Sequence, residues 1–501
     1  MKKTVNLVCV FYSIIFLSIT ATGQSNITFL HTIDVPDSTI NISLSDSPEP
    51  FLTNIGNSKC FTGAGITTTN FIIFDKESKE LSIFNLSTSL NTIQSKLWPQ
   101  LATAQSPTKT YFTVTYSGKT SINPPTEQFI FVFDSTLTNI SAKKTDPAPF
   151  QSLFLPAVSE FMNDSVLLIS HYATINSPSG DQQNATGLIA WNFISDSILW
   201  RKIYYPELPN SSCYPSDIQT TENSIVFGGF LKQSTSHLKS FILRISKETG
   251  EIMHSAIIPH GTHNPLARNL NFQKDTDGNL YIGGLFKQYG SANSYFNFIA
   301  KIDKEWKIIW ARKALITNFD PIVFGIKSDP EGNLIFVTYT FKQIPAVIGK
   351  LDWKGDLLWY KGFEFYHPSL LFEEDQSLFI FSSKRYDESG EISWPGVIAK
   401  TDKNGKIQDC PQFNSCMIVD TFNLPFQFIN WNSIDTGQLF DINYTLEPLG
   451  TYSTYPYCSN LQPPNPFFSL PDTVCAGTCL QPDSTFNRLA HHVEWRISGP
   501  M

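Results

Sequence analysis

"DTDGNLYIGGLF" spans Asp275 to Phe286, and "DPEGNLIFVTYTF" spans Asp329 to Phe341. Each places an acid, two variable residues and a Gly-Asn pair ahead of an apolar run. That pattern is a tight turn with one residue at positive φ leading into a strand. The two copies start 54 residues apart. Further runs fall on the same line: "KCFTGAG" from Lys59, "TYFTVTYSG" from Thr110, "SVLLISHYA" from Ser165, "SIVFGGF" from Ser224 and "SLFIFSSK" from Ser377. Successive starts, counting the two copies from Asn279 and Asn333, differ by 51, 55, 59, 55, 54 and 44 residues. A period near fifty marks a propeller or a repeat array.

Each opening strand is followed by a companion line such as "NFIAKIDKEWKIIWAR" or "AVIGKLDWKGDLLWYK", a strand, a turn with Asp, Lys, Gly or Ser, and a second strand. A fourth strand fits before the turn, as in "LNFQKD" ahead of Gly278 and "VFGIKSD" ahead of Gly332. Four strands per repeat make a propeller blade, so the expectation is an all-β chain with a seven-bladed β-propeller over residues 24–410. "NITFLHTIDV" and "TINISLSD" match a late-hairpin strand and a pre-turn strand, and completing the last blade with them would close the ring. Trp200, Trp310 and Trp359 end equivalent strands and are expected to be buried between neighbouring blades.

Composition agrees with many short strands and turns: 14% aromatic and 16% charged residues, with 40 Phe, 31 Pro and 27 Gly. At the N-terminus, Lys2 and Lys3 precede an apolar run from Leu7 to Ile19 and small residues at Ala21 and Gly23, which reads as a secretory signal peptide over 1–23. The run is too short for a bilayer span, which needs about 20 apolar residues, and no later segment could span, so no membrane span is expected after cleavage. Without the leader, 34 Lys and Arg stand against 44 Asp and Glu, a net charge of −10 that speaks against a nucleic-acid partner.

The lines "DTDGNLYIGGLF…FIAKID" and "DPEGNLIFVTYTF…VIGKLD" resemble the SBBP-type β-propeller repeat, whose pattern joins a D-x-x-G-N turn to a Y-V-x-G strand and a later F-x-x-K-x-D strand. The resemblance is fullest over 271–315 and 325–365, and it implies a fold and often a secreted setting, not one activity. After Cys410 the rhythm stops, and 411–465 reads as a strap with strand-like "FQFINWN" and "FDINYTLEP" followed by a Pro-rich linker. Residues 466–501, with "VEWRISGP", resemble the opening of a PKD-type immunoglobulin-like domain cut short at Met501. The order of propeller, linker and PKD-type module resembles bacterial surface proteins of type IX secretion, which implies contact with secretion machinery through a missing C-terminal region.

Of eight cysteines, Cys9 lies in the leader; Cys60, Cys213, Cys410, Cys416, Cys458, Cys475 and Cys479 remain. Export favours disulfides over thiolate–metal sites in the C-terminal five, with Cys475 to Cys479 as the first pair and Cys410 paired to Cys416 or Cys458. His260 and His263, and the adjacent His491 and His492, lack a third metal ligand and read as solvated loop histidines. "DTDGN" is not a calcium loop, because the sixth position, Gly in an EF-hand, is Leu280. "KLDWKGDLLW" is similar to quinoprotein dehydrogenase repeats, but the adjacent Cys pair of that family is absent.

No catalytic, cofactor-binding or metal residue is therefore singled out, and no cofactor is expected. The first functional reading is an exported, non-enzymatic binding or scaffold protein, secreted or on the cell surface, whose propeller loops recognise an unidentified extracellular protein or glycan. The second is a propeller enzyme acting on an extracellular glycan through carboxylates at the central channel. A cluster of Asp and Glu with a raised pKa at the channel would favour the second.

Overall fold

The computed structural model describes residues 29–33, 52–55, 59–64, 70–75, 80–88, 100–118, 127–145, 158–176, 182–208, 211–233, 237–262, 270–287, 295–316, 321–340, 346–363, 366–372, 377–383, 396–407, 417–441 and 444–456. Among them there is no helix, and every regular element is a strand. The leader, His263, Cys410, Cys416, Cys458, Cys475, Cys479 and the PKD-like stretch lie outside the described residues.

After β1 (Phe29–Ile33) the chain lays down antiparallel meanders. The first comprises β2 (Leu52–Ile55), β3 (Lys59–Ala64), β4 (Asn70–Asp75) and β5 (Glu80–Thr88). The second comprises β6 (Gln100–Gln105), β7 (Tyr111–Gly118), β8 (Glu127–Asp134) and β9 (Asn139–Thr145). The third holds β10 (Ser159–Phe161), β11 (Val166–Asn176), β12 (Gln182–Asn192) and β13 (Ser197–Pro206). The fourth holds β14 (Ser211–Thr220), β15 (Ser224–Gln233), β16 (His237–Ser246) and β17 (Ile252–Thr262). β18 (Asn271–Lys274), β19 (Leu280–Lys287), β20 (Tyr295–Ile302) and β21 (Ile308–Ile316) form the fifth. β22 (Pro321–Ser328), β23 (Leu334–Thr340), β24 (Ala346–Leu351) and β25 (Leu357–Phe363) form the sixth. The last meander has only β26 (Tyr366–Phe372), β27 (Leu378–Ser383) and β28 (Gly396–Lys400) in sequence, and β1 pairs with β28 as its fourth strand.

The architecture is propeller-like: the first strand of each meander lies beside the first strand of the next, and β26 lies beside β2. All the opening runs read from the sequence are second strands of meanders. The pre-turn strand of the first meander is Leu52–Ile55, whereas "TINISLSD" lies outside the described residues.

The turn motif has a specific structural content. In the fifth meander Asp275 Oδ1 accepts the Asn279 N–H at 2.7 Å, and Oδ2 accepts Asn279 Nδ2 at 3.0 Å and pairs with Lys301 Nζ at 2.8 Å. The sixth repeats this with Asp329, Asn333 and Lys350. Asp, Asn and the later Lys thus recur together because they form one buried hydrogen-bonded cluster. In the fourth meander, where the motif fades, Thr221 stands in place of the acid and the cation is Arg244, whose Nε donates to Ser224 Oγ at 3.0 Å.

Adjacent sheets bury their apolar faces against each other, as where Leu168, Leu188 and Trp200 of the third meander join Phe227, Phe241 and Ile257 of the fourth. Trp200 and Trp310 are buried, and Trp359 is half-buried. Each ring covers the outer-hairpin glycine of the next meander: a Cβ added at Gly250, Gly355 or Gly405 would come within 2.6, 2.8 or 2.7 Å of Trp200, Trp310 or Trp359. The fourth meander reverses the arrangement. His254 occupies the Trp position, the hairpin position of the fifth meander is Trp306 at φ +68°, and the two rings stack at 6.4 Å. A left-handed backbone costs a bulky residue about 1–2 kcal/mol. The double substitution His254→Trp with Trp306→Gly restores the common arrangement, and its urea midpoint is expected to match or exceed that of the parent. A lower midpoint would refute this account of the docking.

Beyond Met417 the chain travels back along the outer edges. β29 (Met417–Thr421) pairs with β21, β30 (Gln427–Phe428) with β17, β31 (Trp431–Ile434) with β13 and β32 (Leu439–Asp441) with β9. β33 (Tyr444–Pro456) pairs with β5 and then β1, bridging the first and last meanders, so the start of the stretch read as a Pro-rich linker is strand. Acids on this strap meet lysines of the outer strands: Asp420 with Lys313, Asp435 with Lys202 and Asp441 with Lys143.

Candidate functional site on the inner strands

The first strand of each meander has a sheet partner on one side only, so its other edge carries N–H and C=O groups that need partners. Side chains from the neighbouring meander supply them. Asp217 on β14 accepts the Phe272 N–H of β18 at 2.6 Å, and Gln219 accepts the Lys274 N–H at 3.3 Å. In the opposite direction, Thr220 donates to Phe161 O at 3.0 Å and Ser328 to Lys274 O at 2.8 Å.

Two acids belong to this lacing, Glu160 on β10 and Asp217 on β14. Both are half-buried, enclosed by protein yet reached by solvent. Burial pushes the Glu160 carboxyl up to about 7, reinforced by the charge of Asp217. Burial likewise pushes Asp217 up to about 7, against the pull of the Phe272 N–H, Lys327 and the Ile218 N–H.

Hydrogen bonding distinguishes the two acids. Asp217 Oδ2 accepts Phe272 N–H and Oδ1 accepts Ile218 N–H at 2.8 Å, and both donors favour the carboxylate. The Thr220 hydroxyl has one proton and two neighbours, Phe161 O at 3.0 Å and Glu160 Oε1 at 3.2 Å. When it donates to the carbonyl, Glu160 is satisfied as a neutral acid donating to the hydroxyl oxygen. The backbone donors favour a carboxylate at Asp217 and the Thr220 hydroxyl can accept from a neutral Glu160, an arrangement suited to the two states that acid–base chemistry needs.

The pair also sets a pH dependence. A carboxyl whose folded pKa exceeds its unfolded value leaves stability intact below about pH 4, where both states are protonated. Stability then falls as pH rises to 7, because the unfolded chain has already released the proton. The loss is on the order of 2 kcal/mol for Glu160, allowing for its solvent contact. Glu160→Gln should therefore raise the urea midpoint at pH 8 and leave it nearly unchanged at pH 4. Equal shifts at both pH values would contradict the burial account.

Other candidates fare differently. Cys213 is a free, fully buried thiol, and burial pushes its pKa up, which makes it a poor nucleophile. His260 lies on β17, with its side chain outside the described residues. The acid of "DTDGN" is occupied by Lys301 and Asn279. Sequence reasoning named neither Glu160 nor Asp217. The available signal was an acid within the pre-turn strand of two consecutive repeats.

No protein-family model matches the chain, and no curated protein matches it significantly. Among solved structures, a prolyl endopeptidase aligns over 76% of this chain and 48% of its own at 10% identity, with a TM-score of 0.38. The chain thus spans about half the length of that protein. An α-L-arabinofuranosidase from Fusarium graminearum aligns over 62% of this chain and 95% of its own at 11% identity and a TM-score of 0.38. A protein of unknown function from Dyadobacter fermentans aligns over 69% and 94% at 11% identity and 0.33. Overlaps this distant say nothing about chemistry.

Proposed function

We propose that the chain is a seven-bladed propeller that hydrolyses an extracellular glycan at its inner strands. Ring closure is supported by the unbroken succession of first strands from β2 to β26 and back, and by β1 completing the last sheet. The single observation that carries the activity is the Glu160 and Asp217 pair on neighbouring inner strands, both with carboxyls pushed up to about 7 and both reached by solvent. The leader and the PKD-like tail support an exported protein, secreted or on the cell surface, where polymeric glycans are at hand.

In the proposed step Glu160 gives its proton to the glycosidic oxygen as the bond from that oxygen to the anomeric carbon breaks. A water oxygen bonds to that carbon while Asp217 takes the water proton. One acid proton is consumed and one is returned to the pair, so a proton transfer between the two carboxyls, directly or through solvent, resets the site. Incubation of the protein with a panel of end-labelled oligosaccharides should release shorter chains with a bell-shaped pH dependence, since the rate needs one proton on the pair. Failure to cleave any member, or a rate indifferent to pH between 5 and 9, would overturn the proposal and return the chain to a purely binding role.

A further inference from the structure

The strap leaves one outer edge bare. β5, β9, β13, β17, β21 and β1 each carry a strap strand on the outer side, whereas β25 of the sixth meander has β24 on one side and, among the described residues, no strand on the other. Position-matched residues show what the strap brings elsewhere. Five consecutive outer strands bulge at Ile140, Leu199, Met253, Ile309 and Leu358, and the third residue after each bulge is Lys143, Lys202, Ala256, Arg312 and Lys361. Lys143 and Lys202 each hold two acids, one from the next outer hairpin, Asp196 or Glu251, and one from the strap, Asp441 or Asp435. Arg312 holds Asp356 of the next hairpin, and the strap acid Asp420 meets its neighbour Lys313. The strap acid stands straight across the antiparallel register, as Asp441 does from Lys143 and Asp420 from Lys313. Opposite the uncharged Ala256 the strap sets Phe428 instead. Lys361 has neither kind of acid: after Gly405 of the next hairpin, where Glu251 and Asp356 follow Gly250 and Gly355, stands Lys406. No ion pair or side-chain hydrogen bond reaches Lys361 among the described residues. Burial follows the same line, since Trp200 and Lys202 are buried while Trp359 and Lys361 are half-exposed.

The strap has no length to complete this edge in its usual way. Ile407 follows the outer hairpin of the last meander, and Met417 stands opposite Ile316 at the far end of β21. A strand antiparallel to β25 runs from the far end toward the hairpin, so a chain that starts at a hairpin end and leaves at a far end would have to cross the sheet three times. Ten peptide steps from Ile407 to Met417 reach about 35 Å at full extension, whereas three crossings of a strand as long as β25 need about 70 Å. A second copy of β25 does not fit either, because Leu357–Phe363 contains no acid to answer Lys361.

We infer that the outer edge of β25 is a docking site for an extended strand of another protein, which pairs antiparallel as the strap does elsewhere and sets an Asp or Glu directly across from Lys361. The free N–H and C=O groups of the edge supply affinity, and the cross-strand ion pair fixes the register. The site stands apart from the inner strands, so its test and the glycan assay fail independently.

The test follows backbone hydrogen exchange of the full chain with three capped nine-residue peptides of alternating Val and Thr. One has Asp at its centre, one has Asn there, and one has the Asp between two prolines that remove the pairing N–H groups. The Asp peptide should slow exchange over 357–363 and bind about three- to fivefold tighter than the Asn peptide, an advantage lost at high salt, while the Pro peptide should not bind. Lys361→Glu should invert the preference toward a peptide with Lys at its centre and leave thermal unfolding unchanged, since no partner of Lys361 is lost. Absence of protection over 357–363 with every peptide would make Lys361 a guard of a bare edge and overturn the inference. So would equal binding of the Asp, Asn and Pro peptides, a charge reversal without effect on preference, or β25 amides that are already as protected without peptide as those of β13.

Discussion

Glu160→Gln is expected to lower the rate of glycan cleavage by about 10²- to 10⁴-fold, the contribution of a positioned general acid. The amide has the shape of the carboxyl and keeps a donor, its N–H, for the Thr220 hydroxyl oxygen, so the inner-strand lacing survives. What it lacks is a proton it can transfer. The loss should therefore fall on kcat and leave KM close to the parent value. A substrate with a nitrophenolate leaving group needs little protonation and should be cleaved nearly as fast by the variant as by the parent. The acidic limb of the pH profile should persist and the alkaline limb should disappear, because only Asp217 would then titrate. Asp217→Asn should also lose activity, but with a stability cost, since the amide turns an N–H toward one of the two backbone donors that the carboxylate accepts. A parent-like rate for Glu160→Gln on an unactivated oligosaccharide would remove Glu160 from the chemistry.

The contrast between what the sequence revealed and what it hid has a physical origin. Turns and strands are local, so the D-x-x-G-N copies at Asp275 and Asp329 located their meanders unaided, and the spacing extended the reading to units where the motif has faded. In the fourth meander Thr221, Ser224 and Arg244 replace acid and lysine together, which erases the motif and keeps the architecture. The strap was foreseen as partly β but not as a run of edge strands in reversed order, because a short segment such as Gln427–Phe428 is a strand only by virtue of the edge it meets. Glu160 and Asp217 were invisible for the same reason. Each is an unremarkable acid in its own strand, and each acquires a shifted pKa only where packing between neighbouring meanders buries it.

Asp275→Ala should lower stability by about 3–5 kcal/mol, the cost of breaking a buried ion pair from one side. Its carboxyl and the Lys301 side chain are 1% and 6% exposed, so neither charge can turn to water for a substitute partner. Burial alone would drive the Asp275 pKa up, but Lys301 and Asn279 outweigh it and hold the carboxyl below its ordinary value. A depressed carboxyl contributes stability above about pH 4 and loses it as pH falls through the folded value, so the deficit of the variant should shrink in acid. Removing the acid also deprives the Asn279 N–H of its acceptor at the turn and leaves the Lys301 ammonium beside the Tyr281 hydroxyl and ring, with no carboxylate partner among the described residues. Lys301→Met in the same chain should recover much of the loss, because an apolar side chain of similar length needs no partner at that depth. Urea unfolding followed by tryptophan fluorescence reads all three variants, and the coupling between the two substitutions is the quantity that decides. Strictly additive losses would mean that Asp275 acts through the turn alone and that the recurrence of Lys in the repeat has another cause.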